Sequence, residues 1–377
     1  MSRRVRAAVL GYYGRWNLGD DLMARDVAAE LRASGREVRL LSGDAYLGRV
    51  LSGADVTVAP RSLMGLLRAL AWCDELVFAG GTIFHDSFND AEFADYRRHL
   101  QLYAALFRLT RLAGKRVRLV GVGLGPLRRE AARRPARSAL GSADTLYVRD
   151  AASLAEAKAL GAHAKLILGP DLSLMGAENL VTIGQTRHPE QRLGLSLLDM
   201  SPFLPDQDSH VFWDTICEAV GETLTARPDL HLTLFAFWTA PDRPNDSAIA
   251  ERFKQALPET VRNRVWICAY EGEPDRVVDA MADCQAIVAT RFHAAVLAQA
   301  LGRPYAVIPY NRKVSDFADA CGLPKALRLP GDRPASVDEA REVLNALLDS
   351  KSAPPMDASM EAGKARQAVA QALETSS

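Results

Sequence analysis

Ala286-Ile287-Val288-Ala289-Thr290-Arg291-Phe292-His293-Ala294-Ala295-Val296-Leu297 changes its hydrophobic period halfway through. Residues 286–289 form an apolar, β-compatible run. Leu297 and Leu301 then recur at helical spacing until Gly302-Arg303-Pro304 ends the helix. Thr290 stands where a helix N-cap belongs. The spacing predicts strand, tight turn and helix, with Arg291 and His293 in the first helical turn. A helix N-terminus offers unpaired N–H groups and partial positive charge, so an anion is favoured there. A guanidinium suited to bidentate carboxylate or phosphate binding and an imidazole suited to proton transfer make this corner a candidate active site.

The same unit recurs on both sides of this stretch. Upstream, strands are expected near residues 5–10, 37–41, 56–58, 75–78, 117–120, 145–148 and 166–168, with helices between them. The pattern pauses across 176–188, which reads as an interdomain crossing. It restarts with strands near 192–198, 230–237, 265–268, 286–289 and 305–308, and helices near 337–348 and 360–373 close the chain. Strict alternation with glycines at strand ends argues parallel sheets covered by helices. The expected architecture is α/β, two doubly wound Rossmann-like domains facing a cleft. An N-terminal domain covers 1–175 on the acceptor side. A C-terminal domain covers 176–335 on the donor side, and C-terminal helices cover 336–377. Ligands of such sheets bind beyond the carboxyl ends of the strands.

The 377-residue chain carries 46 Lys plus Arg and 46 Asp plus Glu, so bulk charge gives no ground for binding nucleic acid. Five scattered cysteines without a CxxC pair argue against a disulfide framework or a zinc site. The apolar run after Arg3, Arg4 and Arg6 is too short for a signal peptide, and no stretch has the length of a membrane span. A reducing cytoplasm is the expected compartment.

Four loops carry candidate chemistry. In Gly14-Arg15-Trp16-Asn17-Leu18-Gly19-Asp20-Asp21, Asn17 and Asp20 offer polar contacts, although helix capping and a tight turn would use the same residues. This loop is neither a P-loop nor GxGxxG. Gly80-Gly81 precedes His85 and Asp86, a pattern that ordinary turn chemistry also produces. Arg149 leaves a strand at the ligand edge, where an ion pair, for instance with Asp150, is the common use of an arginine. The fourth loop is the opening corner, with Lys313 before a following helix as a further anion contact or a plain surface lysine. Trp16, Phe84 and Phe88 have rings able to stack on a sugar or to fill a core.

Read together, these pieces resemble the polysaccharide pyruvyl transferase family. The resembling segments are GYYGRWNLGDDL at 11–22, FAGGTIFHD at 78–86, GVGLGP at 121–126 and YVRDAASL at 147–154. They continue in order with GPDLSL at 169–174, ATRFHA at 289–294 and NRKVSDFADACGL at 311–323. Two positions depart from the family pattern. Thr82 stands where a third glycine is usual, and Phe292 stands where leucine is commoner between the arginine and the histidine.

The resemblance implies a GT-B-like fold and transfer of a pyruvyl group from phosphoenolpyruvate to two hydroxyls of a sugar, forming a cyclic ketal. It carries donor binding to Arg149, Arg291 and His293, with the backbone of Phe292 against the donor. His293 is the expected general acid, though Arg291 beside it disfavours its charged form. Lys313 is a further donor contact; Asn17, Asp20, Gly80, Gly81, His85 and Asp86 are expected on the acceptor side. No cofactor or metal is implied. The acceptor is a sugar or a lipid-linked oligosaccharide, and the latter would bring the protein to the inner face of the membrane without spanning it. Two other readings compete: a GT-B glycosyltransferase using a nucleotide sugar, and a non-catalytic sugar-binding protein on the same fold. The segment after Arg291 lacks the acidic residue that binds a donor ribose in many such glycosyltransferases.

Overall fold

A computed structural model describes residues 3–51, 55–86, 90–204, 209–241, 245–350 and 353–374. The chain forms two units: Met1–Arg15, Asp20–Met175 and Met360–Ser377 make the first, and Trp16–Gly19 with Gly176–Ser359 make the second.

The first unit alternates β1 (Arg6–Leu10), α1 (Leu18–Ala33), β2 (Glu37–Ser42), α2 (Leu47–Val50), β3 (Thr57–Pro60), α3 (Leu63–Trp72) and β4 (Glu75–Ala79). It continues through β5 (Thr82–Phe84), α4 (Asp90–Leu112), β6 (Arg116–Leu124), α5 (Glu130–Leu140), β7 (Thr145–Val148), α6 (Ala151–Ala159) and β8 (Lys165–Leu168). The strands pair in parallel in the order β3-β2-β1-β4-β6-β7-β8, with β5 beside β6. Such a sheet is covered on both faces, and accordingly every residue of β4 is buried. Apolar residues of α3, α4, α5 and α6 share one core with the sheet.

The short strand β5 lies in what reads from sequence as a loop. Gly80 and Gly81 both have positive φ, 73° and 75°, so the chain can break after β4 and resume beside β6. Gly121 (φ 64°) sits where the β6–β7 register shifts, and a Cβ there would lie 2.2 Å from Leu172.

The second unit contains α7 (Ala177–Thr186), β9 (Glu190–Ser196), α8 (Ser209–Ala226), β10 (His231–Ala236), α9 (Asp246–Ala256), α10 (Glu259–Arg262), β11 (Val265–Ala269) and α11 (Pro274–Ala282). It ends with β12 (Cys284–Ala289), α12 (Phe292–Ala300), β13 (Tyr305–Val307), α13 (Arg312–Ala320) and α14 (Val337–Asp349). Its parallel sheet runs β11-β10-β9-β12-β13. Ser336 and Glu339 form a reciprocal capping box at the start of α14.

Three expectations are corrected. The pause expected across 176–188 contains helix α7, whose Gly184 lets it lie against the backbone of Leu301. Thr290 does not cap α12: Arg291 holds the cap position in extended backbone without a side-chain cap bond. The segment 336–377 is not a separate block. Helix α14 packs on α8, whereas α15 (Ala358–Leu373) belongs to the first unit. There the carbonyls of Ala372 and Leu373 accept from the buried Arg118 and Arg36, both of which pair with the buried Glu75. Helix-end carbonyls and two guanidiniums around one carboxylate satisfy each other's charge.

Candidate functional site

In the second unit strand, turn and helix form as the sequence predicts, with β12 ending at Ala289 and α12 starting at Phe292, but Arg291 holds the cap position and not the first helical turn. The Arg291 backbone N–H donates to Ser196 Oγ at 3.2 Å, tying the turn to the end of neighbouring β9. The Arg291 side chain is not a plain surface cation. Its Nε donates to Asp246 Oδ2 at 2.9 Å, and its Nη2 donates to Asp246 Oδ1. The guanidinium also lies 5.8 Å from the centre of the Trp238 ring. Asp246 is fully buried in the first turn of α9, and its Oδ2 accepts from the N–H groups of Phe237 (3.2 Å) and Trp238 (2.9 Å). Burial pushes the Asp246 carboxyl above the usual carboxylate range, against the pull of Arg291 and the two backbone donors. One side of the guanidinium is therefore fixed by a buried, backbone-anchored carboxylate.

His293 follows in the first turn of α12, with its ring centre 5.3 Å from that of Phe292. A Cβ on Gly19 would lie 1.9 Å from His293 Nδ1, so the imidazole occupies space that a side chain at 19 would fill. Gly19 reaches this place because residues 16–19 pair with the end of β10: Asn17 bridges Trp238, and the Leu18 N–H donates to the Phe237 carbonyl at 3.0 Å. Asn17 Oδ1 accepts from the Gly19 N–H at 3.2 Å, a local capping contact.

Phe292 is buried, edge-on to Phe317 at 5.4 Å, and Lys313 Nζ lies 3.7 Å from its ring centre. Lys313 sits in the first turn of α13, which Asn311 caps. An aromatic ring at 292 thus gives the lysine a cation–π partner that a leucine could not.

In the first unit Arg149 is 7% exposed and held on several sides. Nη1 donates to Asp171 Oδ2 at 2.9 Å, Nη2 donates to Thr82 Oγ1 at 2.6 Å, and Nε lies 3.6 Å from Asp150. Asp150 chiefly caps α6, so the main ionic partner of Arg149 is Asp171. A Cβ on Gly123 would come within 2.8 Å of both Arg149 Nη2 and Thr82 Oγ1, so the glycine makes room for their contact. Thr82, the departure from the family's third glycine, supplies a hydroxyl acceptor to this arginine.

The remaining first-unit candidates divide. Asp20 is buried in the first turn of α1. His85 lies 5.0 Å ring to ring from Tyr96, and burial pushes its pKa down to about 4, with Asp86 pulling the other way, so it is neutral at neutral pH. Asp86 is buried, and its Oδ2 accepts from the N–H groups of Arg128 (2.6 Å) and Arg129 (2.5 Å), which makes it a clasp for the turn before α5. Phe84 is fully buried and is core, not a stacking platform. Phe88 lies outside the described residues.

Sequence reasoning missed Asp171, Asp246, Thr82 and Gly19 as supports of the candidate groups. Asp171 lies inside the GPDLSL segment, and Gly19 inside the first loop, so both had a signal. Asp246, 45 residues before Arg291, had none. No group of three or more His, Cys, Asp or Glu placed to hold a metal occurs among the described residues.

Solved structures share the fold at low identity. The UDP-GlcNAc 2-epimerase of Neisseria meningitidis matches with a TM-score of 0.62 at 13% identity, over 98% of this chain and 99% of that one. The epimerase of Methanocaldococcus jannaschii gives 0.63 at 11%, over 97% and 98%. An Anabaena protein solved with UDP and glucose gives 0.54 at 15%, over 98% and 95%. These likenesses establish a GT-B-type α/β fold. No curated protein sequence matches the chain. A family model for polysaccharide pyruvyl transferase matches residues 17–312, a span that holds Gly19, Arg149, Asp171, Asp246, Arg291 and His293. The chain belongs to the polysaccharide pyruvyl transferase family.

Proposed function

We propose that this protein transfers a pyruvyl group from phosphoenolpyruvate to two hydroxyls of a sugar, in a polysaccharide or its precursor, releasing phosphate and leaving a cyclic ketal. What carries the reading, beside family membership, is the corner at Arg291 and His293: a guanidinium anchored by Asp246 next to an imidazole seated on Gly19, at a helix N-terminus. The donor brings a carboxylate and a phosphate, the two groups that guanidiniums and helix N-termini bind best.

In this reading Arg291 and Arg149 are the donor-binding cations, and Lys313 and the backbone of Phe292 complete the donor contacts. His293 is the general acid. It delivers a proton to the methylene carbon of the donor, the central carbon becomes electrophilic, and one sugar hydroxyl adds there. Phosphate leaves as the second hydroxyl closes the ring; the two hydroxyl protons replace the one placed on carbon and the one the phosphate carries away. Asp20 and neutral His85 would contact the acceptor hydroxyls, with Asn17 and the Gly80–Gly81 turn shaping the loops. Asp86 stays structural.

The test is to incubate the purified protein with phosphoenolpyruvate and a panel of nitrophenyl and diphosphate-linked sugars, following phosphate and product mass. Acceptor-dependent phosphate, with the mass gain of a pyruvyl ketal and its loss in Arg291→Ala, is the expected result. A His293→Ala enzyme with wild-type turnover would remove His293 from the acid role.

A further inference from the structure

The outer face of α3 and α4 has a chemistry that the transfer reaction does not use. Among the described residues, six of the twelve exposed large apolar side chains lie on these two helices: Leu63, Met64 and Leu67 on α3, and Leu102, Leu109 and Leu112 on α4, each 51–75% exposed. Isolated exposed leucines are ordinary, but half of them on two neighbouring helices are not. The helices lie side by side. Arg61, just before α3, donates to the Tyr103 hydroxyl of α4, and Lys115, just after α4, donates to the carbonyls of Leu70 and Cys73 at the end of α3.

Helix α4 has two opposed apolar stripes. Leu100, Ala104 and Phe107 face the sheet core, whereas Leu102, Ala105, Leu109 and Leu112 follow each other at helical spacing and are all exposed. Arg68, Arg97 and Arg108 flank the exposed stripe.

The exposed charge on this part of α4 is basic. From Tyr96 to Arg129 the sequence holds nine arginines and lysines and no aspartate or glutamate, in a chain of zero net charge; Arg118 among them is buried against Glu75, and Arg97, Arg98, Arg108 and Arg111 are exposed on α4. The acidic residues of α4, Asp90, Glu92 and Asp95, all precede Tyr96. The nearby Asp74 and Asp144 are paired with Arg3, Arg6 and Arg111, and Glu130 of α5 faces Arg134 and Arg137.

We infer that the α3–α4 face docks this protein on an anionic lipid surface, with leucines in the acyl boundary and arginines on the headgroup phosphates. A second copy is disfavoured as the occupant, because a two-fold contact would set these arginines against each other. No helix among the described residues is long and apolar enough to cross a membrane, so the attachment is peripheral. The inference stands independently of the donor chemistry.

Flotation of the full chain with vesicles tests it. The protein should float with mixed phosphatidylcholine–phosphatidylglycerol vesicles, stay behind with pure phosphatidylcholine, and be released by high salt. Arg97→Glu with Arg108→Glu should lower binding by about tenfold or more. Leu109→Glu with Leu112→Glu should abolish it, and both double variants should keep wild-type melting and donor binding. Failure of the wild-type protein to float with the anionic vesicles would overturn the inference, as would flotation of both variants to the wild-type extent. So would light scattering that shows a dimer which the leucine variant dissolves.

Discussion

Asp246→Asn isolates what a buried carboxylate does for Arg291, the arginine proposed to bind the donor. The amide keeps the shape of Asp246 and one acceptor for the N–H groups of Phe237 and Trp238, but it withdraws the charge that holds Arg291 side-on. Charge-assisted hydrogen bonds contribute about 1.5–3 kcal/mol each, and breaking a buried pair costs about 3–5 kcal/mol. Arg291 retains 18% exposure, so water relieves part of that loss, and about 2–3 kcal/mol of folding stability is expected to go.

Two effects on donor binding then oppose each other. An unneutralised Arg291 attracts an anion more strongly, by roughly 1 kcal/mol where solvent screens it. A guanidinium released from its anchor must be frozen again on binding, at up to about 2 kcal/mol, and misplacement by about 1 Å costs on the order of 100-fold in turnover. Positioning should win. The expected outcome is a modest rise in KM, a larger fall in kcat, and kcat/KM down by about 100-fold. Urea unfolding separates the stability loss. A cycle with Arg291→Ala separates the route, because Asp246→Asn should cost little further in that background. An Asp246→Asn enzyme that binds phosphoenolpyruvate more tightly and turns over normally would refute the reasoning.

Other outcomes follow from the same geometry. Thr82→Gly removes the hydroxyl that accepts from Arg149 and should weaken donor affinity about tenfold, with Thr82→Ser restoring it in a titration. Gly19→Ala would set a Cβ 1.9 Å from His293 Nδ1 and should displace the ring, lowering melting by overpacking and turnover by about 100-fold. His85 has a folded pKa of about 4 against 6.5 ordinarily, so the unfolded chain takes the proton first. The stability it contributes is fully present above pH 6.5 and is lost as pH falls toward 4, by at most roughly 3 kcal/mol. His85→Phe should flatten melting temperature against pH across that window.

The alternation of strands and helices was legible because parallel strands buried on both faces are continuous apolar runs, as in Leu76-Val77-Phe78-Ala79, and glycines mark where they end. The break at Gly80–Gly81 was visible as a turn, but β5 was not: three residues paired to a strand some forty positions on carry no local pattern. Helix α7 was hidden by Gly176, Gly184 and polar neighbours, and it stands because it packs on α12. The candidate arginines and histidine were legible as residue types at strand ends. Their anchoring was not, since Asp171 and Asp246 reach Arg149 and Arg291 through the fold. The two departures from the family pattern have local partners: Thr82 faces Arg149, and Phe292 faces Lys313.

The most direct measurement is calorimetric titration of the purified protein with phosphoenolpyruvate and, separately, with UDP. Saturable binding of phosphoenolpyruvate that Arg291→Ala abolishes, with no heat from UDP, is expected. Saturable UDP binding with no response to phosphoenolpyruvate would contradict it and make the protein a nucleotide-sugar enzyme.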